Sequence, residues 1–289
     1  MTNRTTTDRV VCALDDSTHA ADVLDTAAAL AGRLDLWLTL IHSPTPDVFT
    51  VGERRREIIE RGHEFVARIS AGHEINEVIV QPGDPAHLLM SHLHDGAGLA
   101  VVGSRGRGPT RAALLGSVSG GLIRSSPCPV VVVPPNASLS TLSAQPRILC
   151  GLDGSAEAAH AMEWASGVAW TTGGRLLVAH VRSEPHSGTI ERSAAALAQA
   201  EQGVARVSRL IQASIHGATG DPAHCLDELA RSHKADLIVV GSHGQRALRA
   251  ALGGSVSARL AASAGTPVVA VPLGSRLDAR WAPGMHAAA

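Results

Sequence analysis

Leu99-Ala100-Val101-Val102-Gly103-Ser104-Arg105-Gly106 recurs 138 residues further on as Leu237-Ile238-Val239-Val240-Gly241-Ser242-His243-Gly244. Each copy is a short apolar run closed by glycine, the pattern of a buried strand that ends in a turn. Working outward, the same offset relates Val11-Cys12-Ala13-Leu14-Asp15 to Leu149-Cys150-Gly151-Leu152-Asp153. It also relates Gly116-Ser117-Val118-Ser119 to Gly254-Ser255-Val256-Ser257, and Pro129-Val130-Val131 to Pro267-Val268-Val269. Gly83-Asp84-Pro85-Ala86-His87 returns after 137 residues as Gly220-Asp221-Pro222-Ala223-His224, so small insertions and deletions separate the copies. A period of this length is a whole domain rather than a solenoid unit. The chain is a tandem duplication, expected to divide into domains at 1–143 and 144–289. The Pro- and Ser-rich stretch 134–146 reads as the linker, and 274–289 as a flexible tail.

Within the first half, strands alternate with helices. Arg9–Leu14 reads as a buried strand, Ala20–Leu34 as a helix and Leu36–Ile41 as a second strand. Glu53–Ser70 places Ile58, Ile59, Phe65, Val66 and Ile69 on one helical face, and Glu74–Val80 is a third strand. Asp84 then caps a helix whose first residue is Pro85. Leu99–Val102 is a fourth strand, Val118–Arg124 lies in a helix and Val130–Val133 is a fifth strand. Continuous apolar strands alternating with helices imply a parallel sheet covered on both faces. Right-handed crossovers make it doubly wound, so the fold expected is α/β, two tandem five-stranded parallel-sheet domains. Ligands of such sheets sit beyond the carboxyl ends of the strands, at the topological switch point. Asp15 and Asp153 end the first strand of each half, and Gly103 and Gly241 end the fourth.

Composition narrows the function classes. The chain has 289 residues, 45% of them apolar and 18% charged, with no run near the ~20 apolar residues of a membrane span. The polar N-terminus does not resemble a secretory signal, so a cytoplasmic location is expected. Net charge is −3 for residues 1–143 and +2 for 144–289, far from the basic balance of a nucleic-acid binder. Two Phe, four Trp and no Tyr leave little for base stacking. Cys12, Cys128, Cys150 and Cys225 form no C-x-x-C pair and are expected to be buried thiols.

The turn after the fourth strand carries the chemistry. Gly103 and Gly106 are followed, nine residues later, by Gly116-Ser117; the second half gives Gly241, Gly244 and Gly254-Ser255 at the same spacing. Glycine permits positive φ and close backbone approach, and Gly-Ser at a helix start presents free N–H groups. With the helix dipole these form an anion site suited to phosphates. Arg105, Arg107 and Arg111 add positive charge in the first half, and His243, Arg246 and Arg249 in the second. The alternative is a turn that needs glycine for geometry alone, but both copies keep all three glycines and the serine while their neighbours have drifted. The G-x-x-x-x-G-K-[ST] loop is absent, and so is G-x-G-x-x-G after the first strand.

The pattern G-x-x-G, nine residues, G-[ST] resembles the ATP-binding signature of the universal stress proteins. The strand-one Asp, the strand-two His (His42 and His180) and the closing Pro-Val-Val strand match too. The layout resembles the tandem-domain members common in actinobacteria. The resemblance implies that Asp15 and Asp153 lie beside adenine and ribose and that Ser43 and Val181 line the adenine pocket. It implies that Gly103, Gly106, Gly241 and Gly244 shape the phosphate loop, and that Gly116, Ser117 and Val118, with Gly254, Ser255 and Val256, hold phosphates. Arg105 and His243 stand beside that loop. Ser43 departs from the usual apolar residue, and Asp16 from the glycine that Gly154 keeps. The implied cofactor is ATP, with or without Mg²⁺ bound through its phosphates. The resemblance further implies that the last strands pair the domains as an internal pseudo-dimer, with homodimerisation of the chain beyond that.

The function expected is a nucleotide-dependent stress-response sensor or regulator, without catalytic or metal-ligating residues and with at most slow ATP hydrolysis. Three alternatives stand beside it: a cyclic-nucleotide regulator using the same pocket, an adenylate-forming or ATP-pyrophosphatase-like enzyme, and an interaction protein with vestigial sites. Ser119-Gly120-Gly121 lies in a helix rather than in a strand-one loop, which counts against the enzyme. His92 and His94, two residues apart on a helix, point away from each other and make no metal pair. His87 and His224 read as first-turn contacts, Trp164 and Trp170 as core or interface, and Arg54-Arg55-Arg56 as a solvated face.

Overall fold

A first strand with no polar interruption, β1 (Arg9–Leu14), pairs in parallel with both β2 (Trp37–His42) and β4 (Leu99–Gly103). This is a computed structural model, and it describes residues 9–44, 52–105, 115–137, 139, 143–182, 189–242 and 255–275. In the first half, β3 (Glu77–Val80) flanks β2 and β5 (Val130–Val133) flanks β4, with helices α1 (Ala20–Leu34), α2 (Glu53–Ile69), α3 (Pro85–His94) and α4 (Ser117–Ser125) between the strands. The second half repeats the sequence as β6 (Arg147–Leu152), α5 (Ala156–Thr172), β7 (Arg175–Arg182), α6 (Thr189–Val207), β8 (Gln212–Thr219), α7 (Pro222–His233), β9 (Leu237–Gly241), α8 (Val256–Ser263) and β10 (Val268–Val271).

The two halves form one ten-stranded sheet, ordered β3-β2-β1-β4-β5-β10-β9-β6-β7-β8. The apolar closing strands lie at its centre. Val131 of β5 faces Val269 of β10 in an antiparallel pair, and every other pair is parallel. All eight residues of β5 and β10 are buried, so each strand covers the edge that the other would expose. In each half the order reverses between the first and fourth strands, which puts the switch points at β1/β4 and β6/β9.

Element starts and stops follow local chemistry. Asp84 and Asp221 cap α3 and α7 by accepting from His87 N and His224 N, at 2.7 and 3.0 Å, with Pro at the first helical position. β3 begins at Glu77 rather than at Glu74. Asn76 closes that ladder, its Oδ1 accepting from Leu38 N at 2.7 Å and its N–H donating to Leu38 O at 3.0 Å. The four cysteines are buried and free. Burial pushes the thiols of Cys128 and Cys150 up to about 11 and about 12, so they act as small apolar core residues. Trp164 is fully inside, Trp170 is partly exposed, and Arg54, Arg55 and Arg56 are solvated. No helix among the described residues is long and apolar enough to cross a membrane.

Candidate functional site

At the first switch point the end of β4 is tied to the start of α4. Gly116 N donates to Ser104 O at 2.9 Å, and Ser119 Oγ donates to Gly103 O at 2.6 Å. The second half makes its joint one residue further along, with Ser257 Oγ donating to Ser242 O at 2.8 Å. Helix N-termini thereby sit against the carboxyl ends of the fourth strands, where their N–H groups and dipoles favour an anion. Ser104 is buried, and among the described residues its hydroxyl has no hydrogen-bond partner. Ser117 is exposed at the first position of α4, with Gly116 as its cap. In the second half Ser255 is itself the cap, its Oγ accepting from Ala258 N at 3.2 Å. Val118 and Val256 are half-buried in the first turns.

The glycines at the strand ends are required for a different reason from the one expected. Neither Gly103 nor Gly241 has a positive φ. A Cβ on Gly241 would lie 2.8 Å from Glu157 Cβ and 3.0 Å from the Glu157 carbonyl carbon, so this glycine lets the first turn of α5 pack on β9. Gly103 is less constrained, with Arg105 O at 3.3 Å and Val23 Cγ2 at 3.4 Å. Gly106, His243, Gly244 and Gly254 lie outside the described residues, as do Arg107, Arg111, Arg246 and Arg249. Arg105 is exposed directly after Ser104.

Asp15 and Asp153 stand where the first strands end. Asp15 Oδ1 accepts from Ser17 N at 3.1 Å, and Asp153 Oδ1 accepts from Ser155 N at 3.0 Å and from Ser155 Oγ at 2.6 Å. Gly154 has φ +82°, which lets Ser155 cap α5 at once through Ala158 N, 3.1 Å away. Asp16 keeps a negative φ, Ser17 makes no such cap, and α1 starts only at Ala20. The two sites therefore differ in backbone as well as in side chains.

A histidine that the sequence marked only as a match braces each first strand. The buried His42 donates from Nδ1 to Leu14 O at 2.9 Å, and His180 does the same to Leu152 O at 3.1 Å. Asp16 Oδ1 lies 3.4 Å from His42 Nε2, so this carboxylate turns toward β2. In the second half the hydroxyl of Ser193 takes that place, 3.1 Å from His180 Nε2. Ser43 lies just past the end of β2, and its Oγ donates to Gly83 O at 2.9 Å. Val181 lies inside the longer β7, opposite Ala218. His160 approaches Ser275 Oγ at 3.1 Å and Glu163 at 3.6 Å, but its Nε2 also meets Ser275 O at 2.8 Å. A carbonyl can only accept, so that nitrogen carries the proton and cannot act as a base toward the buried Ser275.

Comparison with known proteins adds to this geometry. A model of the universal stress protein family matches residues 6–134 and again residues 146–272. A universal stress protein of Mycobacterium tuberculosis is 29% identical over 286 residues, covering 90% of this chain and 95% of the relative. Another from Mycolicibacterium smegmatis is 31% identical over 288 residues, covering 91% and 96%. The crystal structure of a universal stress protein from Archaeoglobus fulgidus superposes with a TM-score of 0.71 over 93% of this chain and 98% of that one. At 22% identity that last likeness concerns the fold.

Proposed function

The chain belongs to the universal stress protein family, and from that premise we propose that it is an ATP-binding, nucleotide-dependent regulator with one site in each half. One observation carries the reading. In both halves the first strand, which ends in an Asp whose carboxylate closes the following turn, pairs with a fourth strand whose end is hydrogen-bonded to the start of the next helix. In this reading Asp15 and Asp153 contact the ribose and adenine end, together with Ser43 and Val181. The phosphates lie on Gly116, Ser117 and Val118 in one half and on Gly254, Ser255 and Val256 in the other. The unpartnered Ser104 hydroxyl suits a ligand oxygen at the same place. Among the described residues no group of three or more His, Cys, Asp or Glu is placed to hold a metal, so Mg²⁺ would enter on the phosphate oxygens. The same reading divides the chain into domains at 1–143 and 144–289 and places it in the cytoplasm, as a homodimer.

A cyclic nucleotide is the alternative ligand of the same pocket, where its single phosphate needs fewer N–H contacts than a triphosphate.

The test is mass analysis of nucleotide released by denaturing the freshly purified protein, beside the Gly244→Ala variant. ATP or ADP approaching one or two per chain, lowered in the variant, supports the reading and counts the filled sites. Competition by cyclic AMP identifies a site that prefers it. A protein that is empty and binds neither ligand overturns the proposal and leaves an interaction scaffold.

A further inference from the structure

At the opposite ends of the strands, the second half carries charges that the duplicated scaffold does not need. Arg147 and Arg175 start β6 and β7 in the same register row. With Leu177, Ser232, His233 and Lys234 they line a cavity of about 460 Å³ beside the C-terminus of α7. His216 of β8 packs against His233, with ring centroids 4.4 Å apart. Among the described residues no carboxylate lies within 4.0 Å of Arg147, Arg175 or Lys234 side-chain nitrogens. The acid beside them, Asp236, accepts from the backbone N–H of Arg147 at 2.7 Å. The Arg175 side chain donates to Gln145 Oε1 at 3.4 Å.

The first half shows what the fold itself requires. Arg9, the counterpart of Arg147, donates to His92 O at 2.7 Å, just as Arg147 donates to His233 O at 3.0 Å. Each arginine thus fastens the end of a helix. Arg9, however, has Glu77 at 3.9 Å, and the register puts Ser214 at the place of Glu77. Trp37 stands where Arg175 does, and Gly96, at the left-handed turn that follows α3, stands where Lys234 ends α7. The two copies share one backbone plan. Three positions have moved from acidic or neutral to neutral or basic: Arg175 and Lys234 line the cavity, and Ser214 lies opposite its Leu177 in the sheet.

We propose that this corner of the second half is an anion site, separate from the nucleotide sites, for a small molecule bearing two or more phosphate groups. Its volume lies within the range of small-molecule pockets, and its cations come from three elements that converge on one place. Arginine forks suit phosphate oxygens, and Lys234 adds a point charge. An even overall charge and few aromatics argue against a nucleic-acid strand as the occupant. The imidazole of His216 sits below its ordinary range, through burial and then through the neighbouring His233, so a bound anion moves it upward and supplies a readout.

The test uses the full chain at low ionic strength with inorganic tripolyphosphate as probe and monophosphate as comparison. The ring-proton resonances of His216 and His233 are followed by NMR, after assignment through His216→Gln and His233→Gln. The expected result is a saturable shift of both rings, a rise in the His216 titration midpoint, and much weaker binding of monophosphate. Ser214→Glu restores the first-half carboxylate at an exposed position and is expected to weaken binding by about tenfold. Arg175→Gln with Lys234→Asn is expected to abolish it, Asn being tolerated at the positive φ of Lys234. The nucleotide content of both variants should equal that of the parent, which separates this site from the switch points. Shifts that do not saturate, or that persist unchanged in the folded double variant, overturn the proposal.

Discussion

Gly241→Ala should be among the most costly alanine substitutions at the switch points, and its cost can be worked from distances. The added Cβ would meet Glu157 Cβ at 2.8 Å, the Glu157 carbonyl carbon at 3.0 Å and Ala158 N at 3.2 Å. Two of these three atoms are backbone, in a turn pinned by the Ser155 cap at 3.1 Å, so the turn cannot yield as a side-chain tip would. Overpacking of this kind costs about 1–3 kcal/mol. A rigid neighbour places Gly241→Ala at about 2–3 kcal/mol, after allowance for the ~0.5 kcal/mol that alanine recovers from the unfolded chain. At Gly103 the contacts are 3.3 and 3.4 Å, and the expected cost is below about 1 kcal/mol. For a chain of this size each kcal/mol lowers Tm by about 2–4 °C, so drops of about 4–12 °C and under about 4 °C are expected. The assay is thermal and urea unfolding of nucleotide-depleted protein, followed by circular dichroism and tryptophan fluorescence. Depletion matters because a bound ligand adds stability of its own. Trp164, buried in α5, reports on the element that must move. A Gly241→Ala variant within about 1 °C of the parent, or a costlier Gly103→Ala, would refute the packing argument and return both glycines to the ligand.

Ser257→Ala removes the hydroxyl that joins α8 to Ser242 O and leaves that carbonyl without it. A loss of about 1–2 kcal/mol in urea unfolding is expected, together with lower nucleotide occupancy in the second half. Asp221 caps α7 and also grips Arg259 through two bonds of 2.7 Å, whereas among the described residues Asp84 only caps. The Arg259 guanidinium first, and then the His224 N–H bond, hold the Asp221 carboxyl below its ordinary range. Its contribution is therefore complete above the ordinary carboxylate range and is lost as pH falls through and below it. Asp84→Ala should cost about 1 kcal/mol. Asp221→Ala should cost only slightly more, because its partner is half-exposed and screened, and the difference between them should vanish in acid. Equal losses at pH 7 and at pH 3 would contradict this.

Much of the scaffold could be read along the chain. Apolar runs such as Val10–Leu14 and Leu99–Val102, the Asp-Pro helix starts and the duplication are one-dimensional patterns, because burial and capping act through neighbours in sequence. The β5–β10 pair shows the limit of that reading: its apolar residues mark two buried strands, yet which strand covers which is decided only when the halves meet. The paired positions Asp15 and Asp153 were legible as strand ends, while the bracing of those ends by His42 and His180 was not, since each imidazole reaches a carbonyl 28 residues away. Sequence marked Gly241 as special but suggested backbone freedom, where the fold shows a helix turn lying against it. Ser214 in place of Glu77 and Arg175 in place of Trp37 lie far apart along the chain, and only the register sets them on neighbouring strands. The sequence by itself determined the repeat, the strand and helix types and the Gly-Ser signature. The tertiary structure decided which residues touch, and with that the close packing and the uncompensated charge at one corner. Steric exclusion and Coulomb interaction depend on distance in space, and residues far apart along a chain acquire that distance only on folding.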